Sequence, residues 1–215
     1  MDAPRGMVLY GSTDSGHSYK VRSFLLLAGI AHDYRWVDLA QPRAQRGADF
    51  VAASKFGEVP VLIDQGRAMC QSNALLIHLA RKTGRFAGME SEWQTVLEWL
   101  SWESNRIGFS VPNLRFSLRW VRQPPEVLDY LRRRAEADLQ ILDDFLSTSD
   151  FLLPSGPTVA DISCSAYLFW LEQAGFTEAA YPHLQRWLRA LRSLPGWRHP
   201  DQALLASSID ASRAM

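Results

Sequence analysis

The sequence predicts an α/β domain over residues 1–82 followed by an all-α helical bundle over 90–215, and three observations carry that division. Short β runs occur only before Lys82, at Met7 to Tyr10, Tyr34 to Val37, Val61 to Ile63 and Arg67 to Cys70. Thr83 to Glu90, with Gly84 and Gly88, reads as a linker. Beyond it every apolar pattern has helical spacing, and no strand signal returns.

In the first domain, the Met7 to Tyr10 strand runs into Gly11-Ser12-Thr13-Asp14-Ser15-Gly16, a loop dense in turn formers. A helix follows, with Val21, Phe24, Leu25 and Ala28 on one face and Gly29 as its stop. After the Tyr34 to Val37 strand, Pro42 to Ala53 is expected to be helical. Asp64-Gln65-Gly66 turns Val61 to Ile63 back into Arg67 to Cys70 as a hairpin. Ser72 stands at an N-cap position before Ala74, Leu75, Leu76 and Leu79. The resulting order, β-α-β-α-β-β-α, is that of a thioredoxin-like domain. In the second domain, Trp93, Val96, Leu97 and Leu100 open a long helix that Pro112 should kink or divide. Pro124-Pro125 starts another, with Val127, Leu128, Leu131, Ala135, Leu139, Leu142 and Phe145 as its stripe. Thr158 and Asp161 form a capping box. Leu184, Trp187, Leu188 and Leu191 define a last helix, stopped by Pro195-Gly196.

Composition is that of a folded globular chain. Of 215 residues, 47% are hydrophobic and 21% charged, enough apolar content for a substantial core. Lys and Arg number 23, as do Asp and Glu, so no global field draws the chain to nucleic acid or an anionic membrane. Cys70 and Cys164 lack metal-ligand spacing and make no disulfide framework. Both read as small apolar groups in a reducing compartment. No apolar run approaches the ~20 residues that a bilayer requires. The polar start, broken by Pro4, resembles no signal peptide. The expected location is cytoplasmic, with neither nucleic acid nor membrane as partner and no metal.

The stretch from Gly57 to Ala80 gathers the features that suit a ligand. A helix N-terminus leaves N–H groups unpaired and carries the positive end of the helix dipole, so it can hold a carboxylate. A proline entering a strand donates no ladder bond, which leaves neighbouring backbone able to face outward. Val59-Pro60-Val61-Leu62 followed by Gln71-Ser72-Asn73-Ala74-Leu75-Leu76 resembles the glutathione-binding core of the cytosolic glutathione S-transferases. Ser155-Gly156-Pro157-Thr158-Val159-Ala160-Asp161-Ile162 and Leu194-Pro195-Gly196-Trp197 resemble the same family, so the likeness covers nearly the whole chain. It implies a cis Val59-Pro60 bond, with Val59 pairing its backbone with the cysteinyl part of glutathione. It implies further that Gln71 and Ser72 hold the γ-glutamyl end, that glutathione is the cosubstrate, and that the chain is a homodimer.

Activating glutathione means ionising its thiol. With a pKa of about 8.5, only about 3% is thiolate at pH 7, and lowering that pKa by two units takes roughly 2.7 kcal/mol. A hydroxyl donating to sulfur at a helix N-terminus can supply this. Ser15-Gly16-His17-Ser18-Tyr19-Lys20-Val21-Arg22 resembles the serine- or threonine-type, bacterial-like members, which makes Ser15 the stabilising hydroxyl. His17 is a second candidate donor, set against a plainer role as a polar side chain in the helix's first turn. Tyr10 is the rival to Ser15, since tyrosine-type members carry their hydroxyl near the end of the first strand. The loop holds no cysteine, which disfavours mixed-disulfide chemistry of its own. Two departures stand out: Ser54-Lys55-Phe56-Gly57 replaces Asn-Pro-x-Gly, and Glu58 stands where a basic or amide residue is frequent. Arg43, Gln45 and Lys55 are candidates for the glycyl carboxylate.

The resemblance implies a detoxifying transferase acting on a small hydrophobic electrophile, a peroxide or a disulfide. A non-catalytic glutathione-binding or interaction protein of the same fold is the alternative, because fold does not fix function. A glutathione-dependent isomerase or dehalogenase is a third reading. An acceptor pocket is expected between the domains against Trp99, Trp102, Phe109, Phe116 and Trp120, although such a stripe serves equally as core or dimer contact.

Overall fold

A computed structural model describes residues 6–205. They divide into two compact units, residues 6–82 with 195–205 and Thr83–Leu194.

The first unit is built on a four-stranded sheet of β1 (Met7–Gly11), β2 (His32–Trp36), β3 (Val61–Asp64) and β4 (Arg67–Cys70), in the order β2-β1-β3-β4. β1 runs parallel to β2, and β3 is antiparallel to both β1 and β4. Side chains alternate across a strand, so β1 feeds two cores. Val8 and Tyr10 join Val37, Phe50 and Val61 on one face. Gly11 faces the other: a Cβ there would stand 2.8 Å from the Tyr34 ring and 3.1 Å from Ser18 Cβ, so only glycine lets the strand end pass beneath the helix. That helix is α1 (Gly16–Leu27). β2 begins two residues earlier than the β-branched and aromatic pattern suggested.

The Pro42 to Ala53 helix breaks in two. A 3-10 turn covers Arg43–Gln45, Arg46 is extended, and α2 (Ala48–Ala53) starts after Gly47. Arg46 fixes the break by donating to the carbonyls of Leu39, Gln41 and Gly57 at 3.0, 3.0 and 2.7 Å. After the hairpin comes α3 (Ser72–Thr83). Asp64, at the hairpin turn, receives His78 Nε2 at 2.8 Å and Lys82 Nζ at 2.6 Å, which ties one face of α3 to the sheet. Burial raises the Asp64 pKa, but hydrogen bonds from Lys82 and His78 and their charges outweigh it, holding the carboxyl below the usual range.

α1 has more than the single apolar face expected of it, since nine of its twelve residues are buried. Its second cover is the end of the chain. The expected helical domain of 90–215 loses its last segment, because residues 195–205 belong to the first unit. The Tyr19 hydroxyl donates to the Arg198 carbonyl at 2.8 Å, and a Cβ on Gly196 would meet the Leu26 carbonyl at 2.7 Å. α9 (Pro200–Ala203) follows, capped by His199. The remainder of the expected domain, residues 206–215, lies outside the described residues.

The second unit is helical: α4 (Trp93–Asn105), α5 (Ile107–Arg119), α6 (Pro125–Leu146), α7 (Val159–Ser165), a 3-10 segment Leu168–Ala174 and α8 (Pro182–Arg192). The long helix from Trp93 divides at Arg106, not at Pro112, which sits inside α5. The cause is tertiary: Arg106 Nε and Ser110 Oγ each donate at 2.8 Å to Asp138, a fully buried carboxylate of α6. The α6 stripe also turns slightly, since Leu146 is buried while Val127 and Phe145 are 40% and 41% exposed. Leu184, Trp187, Leu188 and Leu191 are all buried as their spacing requires. No described helix is long and apolar enough to cross a membrane.

Candidate functional site

One end of the sheet collects the segments of interest. Val61 pairs with Tyr10 on one side and with Cys70 on the other. The residues beyond these three therefore emerge together: Gly11 into the Ser12–Ser15 loop, Pro60 back to Val59, and Cys70 on to Gln71 and Ser72. The Val59-Pro60 bond is cis. The Val59 side chain rests against the Val8–Tyr10–Phe50 core. Among the described residues no hydrogen bond occupies its backbone groups.

Ser15 is the N-cap of α1 and is half-buried. Its Oγ accepts the Ser18 N–H at 3.1 Å and the Ser18 hydroxyl at 3.0 Å. Ser18, fully buried, accepts the Ser12 N–H at 3.3 Å. A hydroxyl has two lone pairs and one proton. With both acceptor positions filled from within the chain, what Ser15 has left to offer is its proton. His17 lies in the same first turn, half-buried.

Tyr10 points elsewhere. It belongs to the opposite face of β1, 4% exposed, its ring 5.7 Å from Phe50. Its hydroxyl accepts from Arg35 at 3.1 Å. The face change between Tyr10 and Gly11 separates it from the Ser15 loop.

At α3 the structure corrects the capping assignment. Ser72 is the first helical residue, and the residue before it, Gln71, carries the carbonyl that takes the first helical bond, from Leu75 at 2.9 Å. Gln71 has φ of 71°, a left-handed conformation uncommon outside glycine. One such residue turns the chain from β4 straight into α3, so Ser72 enters the helix. Its hydroxyl makes no hydrogen bond among the described residues, and the N–H groups of the first turn have no helical acceptor. A conformation of this kind, held beside an open helix end, is typical of ligand clamps.

The loop before Val59 is held by its own side chains. Ser54, 1% exposed, donates to the Glu58 carbonyl at 3.0 Å and so fixes the approach to Val59. The exposed Glu58 carboxylate lies 3.4 Å from the Gln71 amide nitrogen. Arg43 is committed to this loop, donating to the Ser54 carbonyl at 2.9 Å, and Gln45 is exposed in its 3-10 turn. Lys55 instead borders a separate cavity of about 430 Å³ with Phe56, Arg67, Met69, Cys70 and His78.

Two residues that the sequence did not flag join the site. Lys20, only 1% exposed, donates to Oδ1 of Asn73 at 3.3 Å, linking α1 to the second residue of α3. A charged residue on the apolar face of a helix was the available signal. Below them Arg22 donates to His32 Nε2 at 2.7 Å while His32 Nδ1 donates to the Ile30 carbonyl at 2.7 Å. Burial, together with the Arg22 charge, pushes the His32 pKa down despite that carbonyl and Asp33.

The five aromatics expected to line one acceptor pocket fall into separate clusters. Trp99 meets Trp102 and Phe145 at 5.4 and 4.9 Å, Phe116 meets Trp120 at 5.8 Å, and Phe109 lies under Arg134. The turn at Arg106 changes the facing of the helix between them. Among the described residues no group of His, Cys, Asp or Glu is arranged to hold a metal.

A family model of the glutathione S-transferase N-terminal domain matches residues 14–82, and one of the C-terminal domain matches residues 120–190. The chain is 27% identical to the disulfide-bond oxidoreductase YfcG of Escherichia coli over 95% of this chain and 97% of that protein. A glutathione S-transferase crystal structure from Xanthobacter autotrophicus aligns with a TM-score of 0.80 and 29% identity, over 96% of this chain and 99% of that one. A glutathione transferase homologue from Lodderomyces elongisporus, crystallised with two glutathiones per subunit, aligns with a TM-score of 0.81 at 19% identity, over 92% and 98% of the two chains. With both family models matched and the sheet and helical unit in place, the chain belongs to the glutathione S-transferase family.

Proposed function

We propose that this protein binds glutathione at the sheet end shared by Ser15, Val59 and Ser72 and activates its thiol for attack on an acceptor. Val59 offers its open backbone to the cysteinyl peptide. Gln71 and Ser72 receive the γ-glutamyl end, where the N-terminus of α3 favours a carboxylate. Ser15 donates to sulfur and stabilises the thiolate. The single observation that carries this reading is the Ser15 hydroxyl, whose two acceptor positions are filled by Ser18. An N-cap serine saturated in this way is a donor poised for an external anion, at a helix end that favours one. His17, in the same turn, is the secondary candidate for contact with sulfur.

The acceptor is a small electrophile, a peroxide or a disulfide. The likeness to YfcG, a disulfide-bond oxidoreductase, favours the last. In that case a glutathione thiolate attacks one sulfur of the substrate disulfide and expels a thiolate, which takes a proton. A second glutathione then attacks the mixed disulfide, giving glutathione disulfide and the second reduced thiol. This sequence requires no protein cysteine, in keeping with a Ser12–Ser15 loop that has none. We place the protein in the cytoplasm as a homodimer, with exposed Phe56 and Met89 among the apolar residues available for a subunit contact.

Calorimetric titration with glutathione, followed by turnover assays on an electrophile, an organic hydroperoxide and a small disulfide, tests the reading. Saturable binding with turnover of at least one acceptor is expected. Absence of binding by folded protein would refute it. Sedimentation at micromolar concentration should show a dimer, and a monomer would remove that part.

A further inference from the structure

The proton that Ser15 has to give depends on a direction. Its contact with Ser18 joins two hydroxyls 3.0 Å apart, a pair in which either oxygen can donate. Only when Ser18 donates does Ser15 keep its proton for an external anion. Ser18 Oγ accepts the Ser12 N–H at 3.3 Å, which fills one of its two acceptor positions and leaves the other open. A donor in that second position would leave Ser18 unable to accept from Ser15. The pair would then run one way only.

Tyr34 is such a donor. It lies in β2 beside Leu9 of β1 and is 2% exposed. Its hydroxyl has no hydrogen-bond partner among the described residues. Burial pushes its pKa up, against the pull of the Arg22 guanidinium 4.2 Å over the ring, so the phenol keeps its proton at neutral pH. The hydroxyl is aimed under the Ser12–Ser15 loop. A Cβ on Gly11 would stand 2.8 Å from Tyr34 Oη and 3.1 Å from Ser18 Cβ, so both side chains border one spot at the end of β1. An unspent donor and an unspent acceptor position thus flank one glycine, and buried polar groups are costly to leave unpaired. A phenol is a stronger acid than a serine hydroxyl, so between these two the tyrosine donates.

We propose that Tyr34 is a positioning residue of the glutathione site: in the complex its hydroxyl closes onto Ser18 Oγ, which fixes Ser18 as donor to Ser15 and Ser15 as donor to sulfur. This role rests on the glutathione reading. Each hydroxyl that donates becomes a better acceptor, so a thiolate at one end of the line strengthens the Tyr34 bond at the other. Without Tyr34 the Ser15–Ser18 bond can reverse, and Ser15 then turns a lone pair toward sulfur.

The test begins with glutathione binding to the parent protein. If the folded parent does not bind, the glutathione reading itself fails and the proposal falls with it. If it binds, thiolate absorbance in the ultraviolet is titrated against pH in the parent, Tyr34→Phe, Ser15→Ala and the double variant. Tyr34→Phe deletes only an unpartnered oxygen, so its thermal midpoint without ligand should be no lower than the parent's. It should raise the thiol pKa of bound glutathione by about half a unit, leaving roughly threefold less thiolate near neutral pH. In the Ser15→Ala background the same change should move nothing, because the donor that Tyr34 orients is gone. A Tyr34→Phe protein that titrates like the parent overturns the proposal. So does an equal shift with and without Ser15, which would mean that Tyr34 acts on the thiol by another route. Loss of the fold in Tyr34→Phe would show the hydroxyl already spent in the free protein, and that overturns it too.

Discussion

The α-helices α1 and α7 each begin with a capping hydroxyl, and they begin in opposite ways. At α7, Thr158 is fully buried and its Oγ1 accepts the Ala160 N–H at 3.2 Å. Asp161, three residues on, returns Oδ2 to the Thr158 N–H at 2.8 Å and gives Oδ1 to Leu152 N–H and the Trp187 indole, both at 2.9 Å. Burial pushes the Asp161 pKa up, and these hydrogen bonds act against that rise. Every demand of this helix start is met by the chain's own acid. At α1 no acid stands in the first turn, the cap is half-buried, and the Ser15 proton remains to be given. A helix start with its own carboxylate is a structural joint, whereas one without it is suited to someone else's anion.

The largest expected effect tests the closed start. Asp161→Ala leaves the Leu152, Thr158 and Trp187 N–H groups buried without acceptors, at about 1–3 kcal/mol each, and removes half of a capping box. A loss on the order of 5 kcal/mol is expected in denaturant unfolding. A variant as stable as the parent would show that the joint does not hold the second unit together.

Next comes the open start of α3. Ser72→Ala should cost one hydrogen bond to a charged group, about 1.5–3 kcal/mol, and so weaken glutathione binding at least tenfold by calorimetry. Stability should hardly change, because the hydroxyl bonds no described residue. An unchanged dissociation constant would remove Ser72 from the site.

The smallest effect lies within α1 itself, whose Arg22 half is sealed against His32. The His32 pKa is lowered in the fold, so the fold prefers the neutral ring. That preference is fully present above the unfolded pKa of about 6.5 and is lost as pH falls below it toward the lower folded value. The parent should therefore lose stability as pH falls from about 7.5 to about 5.5, and His32→Gln should lose less over the same interval. Equal losses in both would show that the ring is not the titrating group.

Local chemistry made most of the first unit legible: the turn at Asp64-Gln65-Gly66 is written in neighbouring residues, as are the Pro124-Pro125 helix start and the Thr158 box of the second unit. What sequence reading missed depends on distant partners. Pro112 looked like the helix breaker, but Asp138, 32 residues from Arg106, sets the break. The return of Arg198 to Tyr19 spans 179 residues and leaves no local mark. In the proposed site, Val59 at a strand entry and Ser72 close to a helix start carry sequence signals, although the helix takes Ser72 as its first residue, while Ser15 stood out only through the family resemblance. The left-handed Gln71 and the Lys20–Asn73 link were not legible, since each is set by how two elements meet.

If the open start of α1 ionises a thiol and the closed start of α7 does not, ultraviolet titration of bound glutathione in Ser15→Ala and Thr158→Ala will separate them. Each variant should lose about 1 kcal/mol of stability through its cap. Only Ser15→Ala should raise the thiol pKa, by about one unit, or roughly 1.4 kcal/mol, with its dissociation constant nearly unchanged and its turnover deficit shrinking at high pH. A Ser15→Ala protein that titrates like the parent, while Tyr10→Phe does not, would contradict the account.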